Sequence, residues 1–79
     1  MTYTLVLTAD GQPLVVLDMP DAASEAAIAR ARAEMAVAVL EAEAAEVRCE
    51  VLDGHEGAPV LGAWIWRPSD EAEPRWMVG

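Results

Sequence analysis

Alternating apolar and polar positions mark several segments of the chain as β-strands. Residues 2–8 alternate Tyr and Leu with Thr and Val, which is the pattern of a half-buried strand. Residues 14–19 form the returning strand, because an Asp-Gly pair typical of hairpin turns precedes them. Residues 46–53 and 60–67 predict a third and a fourth strand, separated by a turn that contains Gly and Pro. Residues 75–78 are either a short edge strand or a packed tail.

One long helix is predicted between the second and third strands. Residues 22–45 contain no Gly or Pro and consist mostly of Ala and Glu, which are good helix formers, and Asp21 is placed to cap the N-terminus. At a period of about 3.6 residues, one face of this helix collects apolar side chains that we expect to pack on the sheet. This core stripe comprises Ile28, Ala31, Met35, Ala38, Val39 and Ala42.

The order of these elements defines the expected fold. A ββαββ order predicts an α+β fold, with an antiparallel sheet of four or five strands and one long helix packed on one face. The length of 79 residues accommodates one domain with one core, so residues 1–79 are taken as a single domain.

This architecture leaves more apolar surface than one helix can cover. The strand residues expected to face the helix are Tyr3, Leu5, Leu7, Val47, Cys49 and Val51. The opposite face would still carry Val6 and Leu52, together with one of two apolar sets from each remaining strand, whose registers stay open. The sets are Leu14 with Val16 or Val15 with Leu17 in residues 14–19, and Leu61, Ala63 and Ile65 or Val60, Trp64 and Trp66 in residues 60–67. A homodimer through the sheet face or edge would resolve this excess, and so would a C-terminal tail folded over with Trp76.

The predicted helix also has a second, narrower apolar strip. Val37 and Leu40 lie on it with Ala33 and Ala44, roughly opposite the core stripe. Val37 and Leu40 are therefore candidates for a dimer or partner contact. The alternative is that they are tolerated surface residues.

The charge of the chain restricts its partners. The net charge is −9, with 14 acidic residues against five cations, all of them arginine. Nucleic acid and anionic membranes are unfavourable ligands because both require cationic density, whereas a basic protein surface would attract the chain. The charge could also serve solubility alone. The chain starts with a strand-like pattern and has no apolar run of about 20 residues, so we expect a cytoplasmic protein.

Acidic residues and tryptophans are the strongest candidates for a binding surface. Three acidic groups stand out: the end of the helix and the third strand, the turn that follows, and the late loop. Their members are Glu41, Glu43, Glu46, Glu50, Asp53, Glu56, Asp70, Glu71 and Glu73. Trp64 and Trp66 share one face of the fourth strand beside Arg67, and Trp and Arg are common at binding hot spots. Core packing is the alternative for these tryptophans.

Residues that carry chemistry are scarce. Cys49 is the only thiol and lies in an apolar alternation, which indicates a core residue. His55 is the only imidazole and lies in a turn, where its neighbouring carboxylates match neither a zinc site nor a calcium loop. No Gly-rich phosphate loop is present. We therefore expect no catalytic residues, no metal and no cofactor.

A small acidic ββαββ chain that begins Met-Thr-Tyr-Thr-Leu-Val-Leu-Thr resembles the anti-CRISPR proteins of phages and prophages. The resemblance is nearest to inhibitors of type I systems, with type I-C as one candidate, and it extends over the whole chain in size, charge and element order. It implies an inhibitor that acts in the cytoplasm of a bacterial host on an RNA-guided surveillance complex. The inhibitor would occupy the cationic path of target DNA, with carboxylates in place of phosphates. The family has no diagnostic motif, so no residue role is transferred.

Two further resemblances remain open. Residues 19–34 and 47–53 are similar to small bacterial domains of unknown role that consist of a hairpin, an Ala/Glu/Arg-rich helix and two further strands. Antitoxin-like hairpin–helix domains are also similar, but they usually accompany a DNA-binding segment that this sequence does not show. The alternative function is therefore a homodimeric accessory or regulatory domain.

Overall fold

The structure is a computed structural model and describes residues 1–41, 44–67 and 73–79. Its regular elements follow the chain in the order ββαβββ. They are β1 (Tyr3–Ala9), β2 (Gln12–Met19), α1 (Ser24–Glu41), β3 (Val47–Leu52), β4 (Val60–Trp66) and β5 (Arg75–Val78).

The five strands form one antiparallel sheet in the order β2-β1-β3-β4-β5. Helix α1 packs on one face of this sheet, mainly over β3 and β1. The predicted α+β fold is thereby confirmed, and residues 75–78 are a fifth strand at the edge. Because β3 pairs with β1, the first and third strands of the chain lie at the middle of the sheet and β2 lies at its edge.

The core lies between α1 and the helix-facing side of the sheet. All six strand residues expected to face the helix are buried, as the alternating pattern predicted. The helix contributes Ala27, Ala31, Met35 and Ala38. Three of these four are alanines, and their small side chains allow the helix to lie close to the strands.

The helix differs from its prediction at its N-terminus, and residues 44 and 45, which were predicted to be helical, lie outside it. It begins at Ser24 instead of residue 22, and Asp21 does not cap it, because Asp21 adopts a left-handed conformation with φ of 54° in the preceding turn. The amide of Ala22 donates instead to the carbonyl of Met1, at 2.9 Å, which ties this turn to the start of the chain. Within the helix Ile28 and Val39 are half-buried, and the expected core position Ala42 lies outside the described residues.

Strand pairing resolves the two open registers. On β2, Leu17 lies opposite Leu5 and Val15 lies opposite Leu7, which places Val15 and Leu17 on the helix side. A register shift after Leu7 follows, and it leaves Leu14 without a direct partner on β1. The prediction could not choose between the two sets because both are apolar.

On β4, Trp64 lies opposite Cys49 and Trp66 lies opposite Val47, so both tryptophans are on the helix side. Trp76 of β5 lies opposite Trp64, with 5.4 Å between the ring centroids. Its indole ring covers the Cα of Gly62 so closely that a Cβ there would overlap it. The C-terminal strand thus adds its tryptophan to the space between the helix and the sheet edge.

Candidate functional site

Strand order and chain direction bring several carboxylates to one end of the sheet. Ala9 at the end of β1 lies opposite both Gln12 and Val47, and Val47 lies opposite Trp66. The end of α1 reaches the same side, since Glu41 borders a groove with Leu14. Arg75 of β5 lies opposite Ile65, so Glu73, two residues earlier, comes to the same end of the sheet. We call this region the acidic end and define it by the described residues Asp10, Glu41, Glu46 and Glu73.

Asp10 connects the turn between β1 and β2 to the residues that precede β3, through hydrogen bonds at the acidic end. Its carboxylate accepts hydrogen bonds from the amides of Ala45, at 3.1 and 3.2 Å, and Glu46, at 3.0 Å. Its own amide donates to the carbonyl of Glu46 at 2.9 Å. Asp10 adopts a φ of 50°, a left-handed conformation that Asp tolerates better than most residues. The Asp-Gly pair at this position predicts only a hairpin turn, since nothing in the local sequence signals a contact of Asp10 with residues 45 and 46.

Two cations lie among these carboxylates. The Arg67 Nε donates to a Glu46 carboxylate oxygen at 2.9 Å, with both side chains partly exposed. A surface pair of this kind stabilises the fold by about 1 kcal/mol at most. Arg75 is exposed at the start of β5. Asp10, Glu41 and Glu73 are all exposed, but the Asp10 carboxylate already accepts hydrogen bonds from backbone amides, so Glu41 and Glu73 are the carboxylates most accessible to a partner.

The predicted acidic groups do not form one continuous surface. Asp53 and Glu56 lie in the turn at the opposite end of β3, about 23 Å from Glu46 by strand length. Glu50 lies in the middle of β3 on the face away from the helix. The expected sites Glu43, Asp70 and Glu71 lie outside the described residues.

The tryptophans expected at a binding surface pack against the core instead of lying open. The Trp64 Nε1 donates to the carbonyl of Ile28 at 2.9 Å, which connects β4 to the helix. The Arg32 guanidinium lies 5.3 Å from the Trp64 ring centroid, within the range of a cation–π contact. Trp66 is also half-buried against the core. Core packing, the alternative considered for these residues, therefore describes their main contacts.

The second apolar strip of the helix is exposed as predicted at Val37 and Leu40, which are 53% and 88% exposed. Val37 lines a shallow groove with Leu7, Leu14 and Val15, between the helix and the edge strand β2. Ala44, which the prediction placed on the same strip, follows the end of the helix and packs against the core. Whether Val37 and Leu40 contact a partner stays a prediction.

The thiol of Cys49 is fully buried between the sheet and the helix. Burial, with smaller contributions from the charges of Glu34 and Glu50, raises its pKa to about 12. The thiol is therefore protonated at neutral pH and unsuited to nucleophilic attack. His55 is exposed in the turn between β3 and β4, and the described residues contain no group of three His, Cys, Asp or Glu side chains arranged to hold a metal.

Comparison of the chain with protein-family models, curated proteins and solved structures finds no match. Within the described residues, no helix combines the length and the apolar character needed to cross a bilayer.

Proposed function

We propose that this protein is an inhibitor that inserts its acidic end into a cationic groove of a nucleic-acid-binding assembly. The observation that carries the proposal is the convergence of Asp10, Glu41, Glu46 and Glu73 at one end of the sheet. Carboxylates accept the same charge-assisted hydrogen bonds from Arg and Lys that phosphate oxygens accept. A groove occupied in this way would no longer bind nucleic acid.

The particular assembly we propose is an RNA-guided CRISPR surveillance complex of a type I system. This step rests on the resemblance in size, charge and element order to anti-CRISPR proteins. It is compatible with the net charge of −9, because such complexes hold nucleic acid in positively charged channels. Long-range attraction between the two surfaces would accelerate their encounter.

The test measures target-DNA binding by a purified type I-C surveillance complex, using fluorescence anisotropy of labelled duplex DNA. The wild-type protein is titrated beside a double variant at the acidic end, Glu41→Lys with Glu73→Lys. Both residues are exposed, so the fold should tolerate the substitutions. We expect inhibition to weaken about tenfold or more, because two favourable charge contacts become repulsive.

The matched control is Asp53→Lys with Glu56→Lys. These residues are also exposed, and the control changes the net charge by the same amount at the opposite end of the sheet. It should retain most of the inhibition. Equal loss in both double variants would show that total charge, not the acidic end, is responsible. Absence of inhibition by the wild-type protein would refute the proposed target.

A further inference from the structure

The sheet has a second face, on the side away from α1, which we call the helix-free face. It consists of the strand residues that alternate with the buried residues facing the helix. Its central row across the five strands is Val16, Val6, Glu50, Ala63 and Met77, and the next row contains Thr8, Arg48, Ile65 and Arg75. Val16 and Met77 are about half exposed, at 46% and 54%. The face therefore presents apolar side chains around a few charged ones.

The charges on this face balance each other. Arg48 and Arg75 stand against Glu50 and Asp18, whereas the whole chain carries a net charge of −9. Among the residues that the structure describes, the acidic excess therefore lies elsewhere on the molecule. A second copy of the chain would meet less electrostatic repulsion here than over the acidic surfaces.

Arg48 has an unsatisfied donor on this face. Its Nε is inaccessible to solvent and has no hydrogen-bond partner among the described residues. Glu50 follows two positions later on the same strand and face, yet no ion pair within 4.0 Å joins it to Arg48 in the described part of the chain. A buried charged donor without an acceptor is costly. The Nε itself cannot be reached from outside, but Arg48 is only half-buried, so a carboxylate of another molecule could bind the exposed part of its side chain and stabilise its charge.

We propose that the helix-free face binds a second copy of this chain, face to face, around a twofold axis that lies between the two sheets, level with Cys49 of β3. β3 is the central strand of the sheet, and Arg48 and Glu50 flank Cys49 on it. An axis perpendicular to β3 and parallel to the sheet makes the two β3 strands antiparallel. Arg48 then lies opposite Glu50 of the partner subunit, and the reverse pair forms by symmetry.

The distance between packed sheets allows these ion pairs, and the area of the face allows a small interface. Packed sheets lie about 10 Å apart, a gap that an extended Arg and an extended Glu can span together. Five strands at the usual spacing, each about six residues long, give a face of about 24 by 20 Å. Its flat area, without the contours of the side chains, is on the order of 500 Å². Stable interfaces bury about 800 Å² on each partner, so a contact of this smaller area indicates a weak dimer.

One end of the face is already covered by its own chain. The Thr4 hydroxyl donates to the carbonyl of Gly54 at 2.8 Å, and Thr4 and Leu52 are buried beside the turn after β3. In the antiparallel arrangement this turn lies beyond the opposite end of the partner's β3. At the centre of the face Ala63 is buried, and Arg48 and Glu50 are half-buried, so the exposed parts of these two charged side chains are what the contact would use.

Sedimentation velocity between about 1 and about 500 µM tests the proposal, with wild type expected to pass from monomer to dimer. Arg48→Glu and Glu50→Arg should each weaken the dimer at least tenfold, since like charges then face each other. The double variant that exchanges both charges should restore it, because the twofold axis pairs position 48 with position 50. A merely structural role for Arg48 would not produce this reciprocal rescue.

Two further variants keep the test decisive. Met77→Lys alters an exposed residue of the same face and should weaken the dimer even if the Arg48 variants fold poorly. Val37→Glu with Leu40→Glu alters the exposed helix strip and should leave the dimer unchanged. A wild-type monomer over the whole range, or a dimer abolished by the helix variants alone, would overturn the proposal. The inference does not rest on the inhibitor function, because the acidic-end variants should still dimerise.

Discussion

The thiol of Cys49 lies under α1 on the central strand, where burial raises its pKa from 9.0 to about 12. In the unfolded chain the same thiol ionises above about pH 9, whereas in the folded protein it stays protonated up to about pH 12. Its contribution to stability is therefore complete below pH 9 and is lost as the pH rises towards 12. We expect the free energy of unfolding to fall by about 2 kcal/mol between about pH 8 and about pH 10.5.

Urea unfolding at each pH measures this loss, with Cys49→Ala as the control. The variant has a lower stability throughout, because it leaves a small cavity, but it should lack the part of the pH dependence that belongs to the thiol. Parallel pH curves for the two proteins would contradict the prediction.

Three residues show which features of the fold and of the candidate site could be predicted from the sequence. Cys49 was predicted to be in the core because its apolar neighbours alternate along β3, and alternation depends only on local spacing. Asp21 was wrongly assigned as the helix cap, because the amide of Ala22 instead bonds to Met1, a contact that no local pattern signals. The role of Asp10 was missed for the same reason, since its carboxylate accepts hydrogen bonds from amides 35 and 36 positions further along the chain.

At the level of elements, Asp10 joins the β1–β2 hairpin to the segment that enters β3. Asp10→Ala removes its hydrogen bonds to the amides of Ala45 and Glu46 and places an alanine in a left-handed conformation. We expect a loss of about 2 kcal/mol in the free energy of unfolding, measured by urea denaturation.

Two substitutions at the same position separate the causes. Asp10→Gly removes the hydrogen bonds but tolerates the positive φ, so it should cost less than Asp10→Ala. Asp10→Asn keeps an acceptor oxygen and tolerates the same conformation, and it should be the mildest of the three. If the alanine and asparagine variants are equally stable, the hydrogen bonds of Asp10 contribute nothing measurable.

The elements themselves were predictable where a pattern had one solution. Residues 2–8 and 46–53 have one clearly apolar face each, and the structure places those faces on the helix. Residues 14–19 and 60–67 are apolar on both faces, so their registers depended on partners that only the folded sheet supplies.

For the whole molecule, the position of the acidic residues depends on strand order. β3 pairs with β1, so the start of β3 lies beside the β1–β2 hairpin and brings Glu46 next to Asp10. The same strand carries Asp53 to the opposite end. The sequence could list the carboxylates but could not show that they divide between two ends, because that division follows from long-range pairing.

The two proposed interfaces should respond to salt in opposite directions. Binding of the acidic end to a cationic groove should weaken as NaCl rises from about 20 to about 200 mM, because the ions screen the attraction over about 10 Å. The dimer should tighten over the same range, because screening reduces the repulsion between two chains that each carry a net charge of −9, while the pairs at the centre of the helix-free face are shielded from solvent. Sedimentation velocity measures the effect on the dimer, and fluorescence anisotropy in the same buffers measures the effect on target binding.

If salt weakens the dimer, its contacts are dominated by exposed charges and the face-to-face arrangement is wrong. If salt leaves target binding unchanged, attraction between charges does not drive the interaction of the acidic end.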